Sequence, residues 1–145
     1  MTFNAYLKNG IAYVPTVVQL LKGGAYMDVE PVAVEPVANT GGFAEHFPRR
    51  SRGKMRSYPN PPKNNWPRPI LLKYSGAKTW SAFARGASMW SIDEENGVFA
   101  ITAYRDHPDG YWAPDKDRKI EFPRGTPIGE VIDRMIAVLQ VSARQ

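Results

Sequence analysis

The sequence predicts an α+β fold: an antiparallel sheet with two helices packed on one face, in the order β-α-β-β-β-α. Three observations carry this reading. Two Asn-Gly pairs each sit between apolar runs of strand length. Two stretches repeat apolar residues at helical spacing, and the second of these opens on a strong helix-start signal. A small N-terminal β arm (residues 1–45) and a basic, Pro-rich strap (residues 46–68) are expected to precede the α+β domain (residues 69–145).

In residues 1–45, Ala5-Tyr6-Leu7 and Ile11-Ala12-Tyr13-Val14 flank Lys8-Asn9-Gly10, a two-residue hairpin signal. A second pair is expected over Val17–Leu21 and Ala25–Val29, turning at Gly23-Gly24. The tandem Val29-Glu30-Pro31-Val32-Ala33 and Val34-Glu35-Pro36-Val37-Ala38 follows. A proline every five residues removes ladder donors, so this stretch suits an edge strand or extended coil.

From Asn39 to Pro69 the periodicity dissolves into Gly41-Gly42, Pro48 and a cluster of five further prolines. Phe43, Phe47, Tyr58 and Trp66 are too many aromatics for a flexible spacer, and some are expected to anchor the strap.

In the second half, Ile70–Tyr74 is read as a strand. Thr79 caps a short helix with Trp80, Phe83, Ala84 and Ala87 on one face, and Trp80 and Trp90 are assigned to the core. Met89–Asp93 and Val98–Arg105 are strands joined across Asn96-Gly97. Tyr111-Trp112-Ala113 resumes the sheet, Pro114–Arg118 interrupts it, and Lys119–Phe122 closes it. Thr126-Pro127 starts the last helix with a capping hydroxyl and a proline at the first position. Ile128, Val131, Ile132, Met135, Val138, Leu139 and Ser142 form its stripe.

The chain of 145 residues has no cysteine, which excludes disulfides, thiolate nucleophiles and Cys-based zinc sites and fits a reducing cytosol. Its start carries no signal-peptide pattern, and no apolar run approaches membrane-spanning length. The net charge of +5 has a local origin. Residues 46–73 hold eight Lys/Arg and no acid, whereas residues 1–45 have two basic and four acidic groups and residues 74–145 nine and ten.

Catalytic patterns are sparse. The two histidines, His46 and His107, lie near no Gly-x-Ser-x-Gly elbow, and no second histidine stands at metal-ligand spacing. Asp115-Lys116-Asp117-Arg118 lacks the glycine and terminal glutamate of a calcium loop. No metal or other cofactor is therefore expected. Pro108-Asp109 followed by Asp117-Arg118-Lys119 is similar to the Pro-Asp…Asp-x-Lys pattern of restriction-type nucleases. An alternative reading is thus a Mg²⁺-dependent nuclease using Asp109, Asp117, Lys119 and Glu121. The strap offers a third reading, nucleic-acid binding through Arg49, Arg50, Arg52, Lys54 and Arg56 with interleaved aromatics.

The run Pro69-Ile70-Leu71-Leu72-Lys73-Tyr74-Ser75-Gly76-Ala77-Lys78-Thr79-Trp80-Ser81-Ala82-Phe83 resembles the opening of immunity proteins from contact-dependent growth inhibition systems. Trp90-Ser91-Ile92, Asn96-Gly97, Tyr104-Arg105, Gly110-Tyr111-Trp112 and the C-terminal helix continue the likeness, which covers residues 69–140. The resemblance implies a cytoplasmic, non-enzymatic protein that binds a toxin domain, often a nuclease and frequently one acting on tRNA, and occludes its active site. Three acid-rich turns beside the adjacent Tyr111 and Trp112, one of which must look outward, are where such a cationic partner is expected: Asp93, Glu94, Glu95, Asp106, Asp109, Tyr111, Trp112, Asp115 and Asp117.

Overall fold

The computed structural model describes residues 2–39, 57–106 and 112–144. Seven strands form one sheet: β1 (Thr2–Lys8), β2 (Ile11–Leu20), β3 (Tyr26–Pro36), β4 (Ser57–Tyr58), β5 (Ser88–Glu95), β6 (Val98–Asp106) and β7 (Trp112–Glu121). The order is β3-β2-β1-β5-β6-β7, antiparallel throughout. The two-residue β4 lies parallel to the end of β2. Helices α1 (Ile70–Ser75) and α2 (Trp80–Ala84) connect the two halves of the sheet, and α3 (Ile128–Ala143) follows β7.

Both Asn-Gly hairpins form as expected. Asn9 and Gly10 have φ of 53° and 75°, and Asn96 and Gly97 have 54° and 79°. Two consecutive left-handed residues give the turn whose twist matches the flanking strands, pairing Lys8 with Ile11 and Glu95 with Val98. The Pro-containing tandem forms β3, at one edge of the sheet, where missing donors cost no ladder bond. Phe43, Phe47 and Arg49–Arg56 lie outside the described residues.

The N-terminal strands do more than precede the α+β module. β1 sits mid-sheet and pairs with β2 on one side and β5 on the other, from Thr2↔Asp93 to Leu7↔Ser88. β1 carries its apolar residues at odd positions and sets Tyr6 on the other parity, whereas its neighbour β2 is largely apolar on both. Phe3, Ala5, Leu7, Ala12 and Val14 face one core, while Tyr6 and Tyr13 face another.

The helices correspondingly divide between the two faces, which corrects the expectation of one shared face. α3 buries Val131, Ile132, Met135, Ile136 and Leu139 against Trp90, Ile92, Ile101 and Ala103. Each of those side chains contributes roughly 1.5–3 kcal/mol by burial. On the opposite face, α1 and α2 bring Leu71, Leu72 and Phe83 onto Tyr6 and Tyr13.

Four local expectations are also corrected. Ile70–Tyr74 is helical, because its flanks punctuate a helix: Pro69 precedes it, and Gly76 (φ 76°) ends it, donating its N–H to Leu72. A five-residue apolar run cannot by itself distinguish strand from helix. Thr79 does cap α2, accepting from the Ala82 N–H at 3.1 Å. Thr126 does not cap α3; its hydroxyl donates to the Pro123 carbonyl at 2.7 Å, and Pro127 occupies the capping position. The interruption at Pro114–Arg118 is absorbed within β7 as a bulge. Thr102 pairs with Lys119 and Ala103 with Asp115, leaving residues 116–118 out of the ladder. Trp90 is core, whereas Trp80 is only half-buried.

Candidate partner-binding face

The structure distributes the acidic residues rather than gathering them on one rim. Glu94 and Glu95 lead into the β5–β6 turn. Asp106 ends β6 at the opposite end of the sheet, opposite Trp112. A nine-residue strand separates these ends by about 25–30 Å. Asp115 and Asp117 lie within β7, at the bulge. Asp109 and Tyr111 lie outside the described residues.

Asp115 is occupied internally. Arg118 Nε and Arg105 donate to its two oxygens at 2.8 and 2.7 Å, and the Asp117 N–H adds a third bond at 3.2 Å. Arg118 foremost, then Arg105, hold its carboxyl down at about 2. This buried acid fixes the bulge and edge strand and offers little free charge to a partner.

Asp93 points onto the face that carries α1 and α2, beyond the reach of those helices. It accepts from Thr2 Oγ1 at 2.8 Å and from the Ser91 hydroxyl at 2.7 Å, and Tyr104 OH lies 3.3 Å from Ser91. Asp93, Glu94, Glu95, Thr102, Lys119, Glu121 and Arg124 surround an open groove of about 760 Å³. Lys119 and Glu121 pair at 3.2 Å within it, and Arg124 donates to the Asn96 carbonyl, tying down the turn. Three of the expected acids thus share one surface.

A second groove on the same face, of about 710 Å³, meets the first at Tyr26 and joins Tyr58, Trp66 and Trp80 to residues not singled out from the sequence, Asp28 above all. At its floor Asp28 accepts from Asn4 Nδ2 at 2.9 Å and Tyr6 OH at 2.6 Å. Desolvation pushes the Asp28 carboxyl above its ordinary value, against the opposing pull of these two bonds. Burial first, and then Asp28, raise the Tyr6 phenol well above its own value, so it remains a donor. Trp80 and Trp112 meet Tyr6 edge-on at 6.2 and 6.4 Å. The Trp112 indole N–H, buried, meets no acceptor among the described residues.

The groove's wall is braced by two cations. Lys8 Nζ donates to the carbonyls of Ala82, Phe83 and Arg85 at 2.6–3.0 Å, closing the C-terminal end of α2. Lys73 and Tyr74 of α1 both bond Glu30 of β3, and the Lys73 bond chiefly lowers the Glu30 carboxyl. Among the described residues, no group of three or more His, Asp and Glu is placed to hold a metal ion.

The fold has relatives among solved structures. A chain of the CdiA-CT/CdiI toxin and immunity complex from Yersinia pseudotuberculosis superposes with a TM-score of 0.59. That likeness is at 12% identity and covers 98% of this chain and 95% of the other. The protein of unknown function NMB0488 from Neisseria meningitidis matches at TM-score 0.64 and 13% identity, over 97% and 92% of the two chains. At these identities the likeness is one of fold, and it runs through the N-terminal strands as well as residues 69–140. No family model and no curated protein matches the sequence.

Proposed function

We propose that this protein is an immunity protein that binds a cognate toxin domain, of the nuclease class, and blocks its active site. The observation that carries the reading is the whole-chain fold likeness to a toxin and immunity complex. The independent resemblance of residues 69–140 to immunity proteins favours that side of such a complex. The protein acts by binding, not by catalysing a reaction, in the cytoplasm of the cell that makes it. Among the described residues no helix is long and apolar enough to cross a membrane.

The toxin contacts the groove face. Asp93, Glu94 and Glu95 present charge there, and the pairs Thr2–Asp93 and Lys119–Glu121 hold the groove's walls in place. Negative charge complements a nuclease's phosphate-binding surface and speeds encounter, while the aromatic part of the face slows release. Trp112, edge-on to Tyr6, extends that contact, whereas Asp115, spent on Arg105 and Arg118, and Asp117, beside Arg134 and Val138 of α3, lie on the other face of the sheet. An inhibitory complex of this kind buries about 1,600 Å² in total.

The test is whether the neighbouring gene encodes a large exoprotein, followed by co-expression with the C-terminal domain of that exoprotein. Wild-type protein should rescue growth and co-purify with that domain, and Glu94→Lys/Glu95→Lys should lose rescue. Failure of the wild type to bind or protect would sink the reading. Full protection by the double variant would remove the acidic turn from the interface.

A further inference from the structure

The second groove has the chemistry of a cation site. Its walls carry Tyr26, Tyr58, Trp66 and Trp80, and its floor is the Asp28 carboxylate. Trp66 is 56% exposed and Tyr26 49% exposed, so these rings stand open at the mouth. Asp28 is half-buried and, among the described residues, has both oxygens engaged only by neutral donors, Asn4 and Tyr6. Each carboxylate oxygen has two lone pairs, so each keeps one for a further donor. None of the ion pairs among the described residues involves Asp28.

A carboxylate set among aromatic rings, with no counter-charge among the described residues, is an incomplete arrangement. Desolvation weakens the ionised form, and a cation entering beside it recovers that loss while the rings attract it through their faces. Among the described residues, the cation that lines the groove, Arg68, donates to the Lys78 carbonyl at 2.8 Å, and Lys73 pairs with Glu30 of the groove wall. A planar guanidinium suits the site better than an ammonium, because it stacks on rings and donates to both oxygens at once.

We propose that the groove between α1, β3 and the Tyr58–Trp66 segment receives one arginine side chain of the protein partner, its guanidinium on Asp28 and against Trp66 and Trp80. This rests on the toxin-binding reading above and adds to it a second, aromatic anchor beside the Glu94–Glu95 turn. Charge complementarity favours it: the Asp28 carboxylate is a locally acidic seat on a chain that is basic overall.

Two arms test it. In the first, N-acetyl-arginine methylamide is titrated into the protein while the indole N–H signals of the four tryptophans are followed. Saturable shifts at Trp66 and Trp80 are expected, absent with the neutral citrulline analogue and absent in Asp28→Asn. Equal response to the citrulline analogue, or no arginine-specific response by about 50 mM, a concentration well above the weakest millimolar affinities, overturns the proposal. In the second, Asp28→Asn should weaken capture of the neighbouring toxin domain about 30-fold or more, as for a lost buried charge pair. Unchanged affinity there overturns the arginine site and leaves the toxin reading standing; no capture by the wild type overturns the toxin reading instead. Trp66→Ala, at an exposed position, should reproduce both losses and serves if Asp28→Asn does not fold.

Discussion

Tyr6 OH donates a 2.6 Å hydrogen bond to Asp28 Oδ2, joining the mid-sheet strand β1 to the edge strand β3 across β2. With Asn4 it is what lets a carboxylate sit among aromatic rings. Removing either donor would leave an acceptor desolvated and unmatched. Tyr6→Phe should therefore cost about 1.5–3 kcal/mol, the range for a hydrogen bond to a charged group, measured by urea unfolding. A loss below a few tenths of a kcal/mol would show that the bond does not hold the groove.

The pH dependence of Asp28 follows from its raised carboxyl. The folded protein keeps this proton over a range in which the unfolded chain, at 3.8, has already lost it. The folded state binds more protons there, so stability falls as pH rises through the window. Asp28→Asn cannot ionise and escapes that penalty. Its melting temperature relative to wild type should climb as pH goes from below 3.8 to neutrality; a constant difference would contradict the assignment.

Asp115 behaves in the opposite sense. Held at about 2 by Arg118 and Arg105, against 3.8 unfolded, it contributes stability that is complete above the unfolded value. That contribution drains away as pH falls through the interval to about 2. Asp115→Asn should melt lower than wild type at pH 7 and converge with it near pH 2. Affinity for a partner should move little, because the charge is already spent on two arginines.

Lys8→Met tests the closure of α2. The variant keeps a flexible apolar stem but leaves three carbonyls at the end of a five-residue helix without their donor. Charged hydrogen bonds of this kind contribute about 1.5–3 kcal/mol, so hydrogen exchange should report α2 opening first. Protection in residues 80–84 equal to wild type would rule this out.

Gly10→Ala forces a side chain onto φ of 75°, in open space with nothing to clash against. The cost is then purely conformational, roughly 1–2 kcal/mol. Since Gly10 also accepts the Val37 N–H through its carbonyl, the midpoint of denaturation is the readout. An unchanged midpoint would mean the turn tolerates a non-glycine residue.

What could be read from the sequence was local. Asn9-Gly10 and Asn96-Gly97 specify their own turns, and the stripe from Val131 to Leu139 specifies a buried helix face, whatever the rest of the chain does. Ile70–Tyr74 was ambiguous because its burial pattern is too short to show a period; Pro69 and Gly76 held the answer. The Asp28 site was hidden because its parts are distant, with Asn4 and Tyr6 standing 24 and 22 positions from Asp28. One signal was present: polar residues at alternating positions 2, 4 and 6 of a strand otherwise built for the core. The acidic turns look contiguous in sequence, yet the nine-residue β6 sets the backbone of Asp106 at the far end of the sheet from Glu95.

The position of β1 also bears on how the chain is made. Its β2 partner follows at once, but its β5 partner comes late, and Thr2 bonds a residue 91 positions further on. At translation speeds of about 5–20 residues per second, the nascent β1–β2–β3 meander waits on the order of ten seconds with that edge unpaired. An exposed strand edge is a template for any passing strand. Until β5 is made, this edge of β1 is open to mispairing, and slower codons between β3 and β5 would lengthen its exposure.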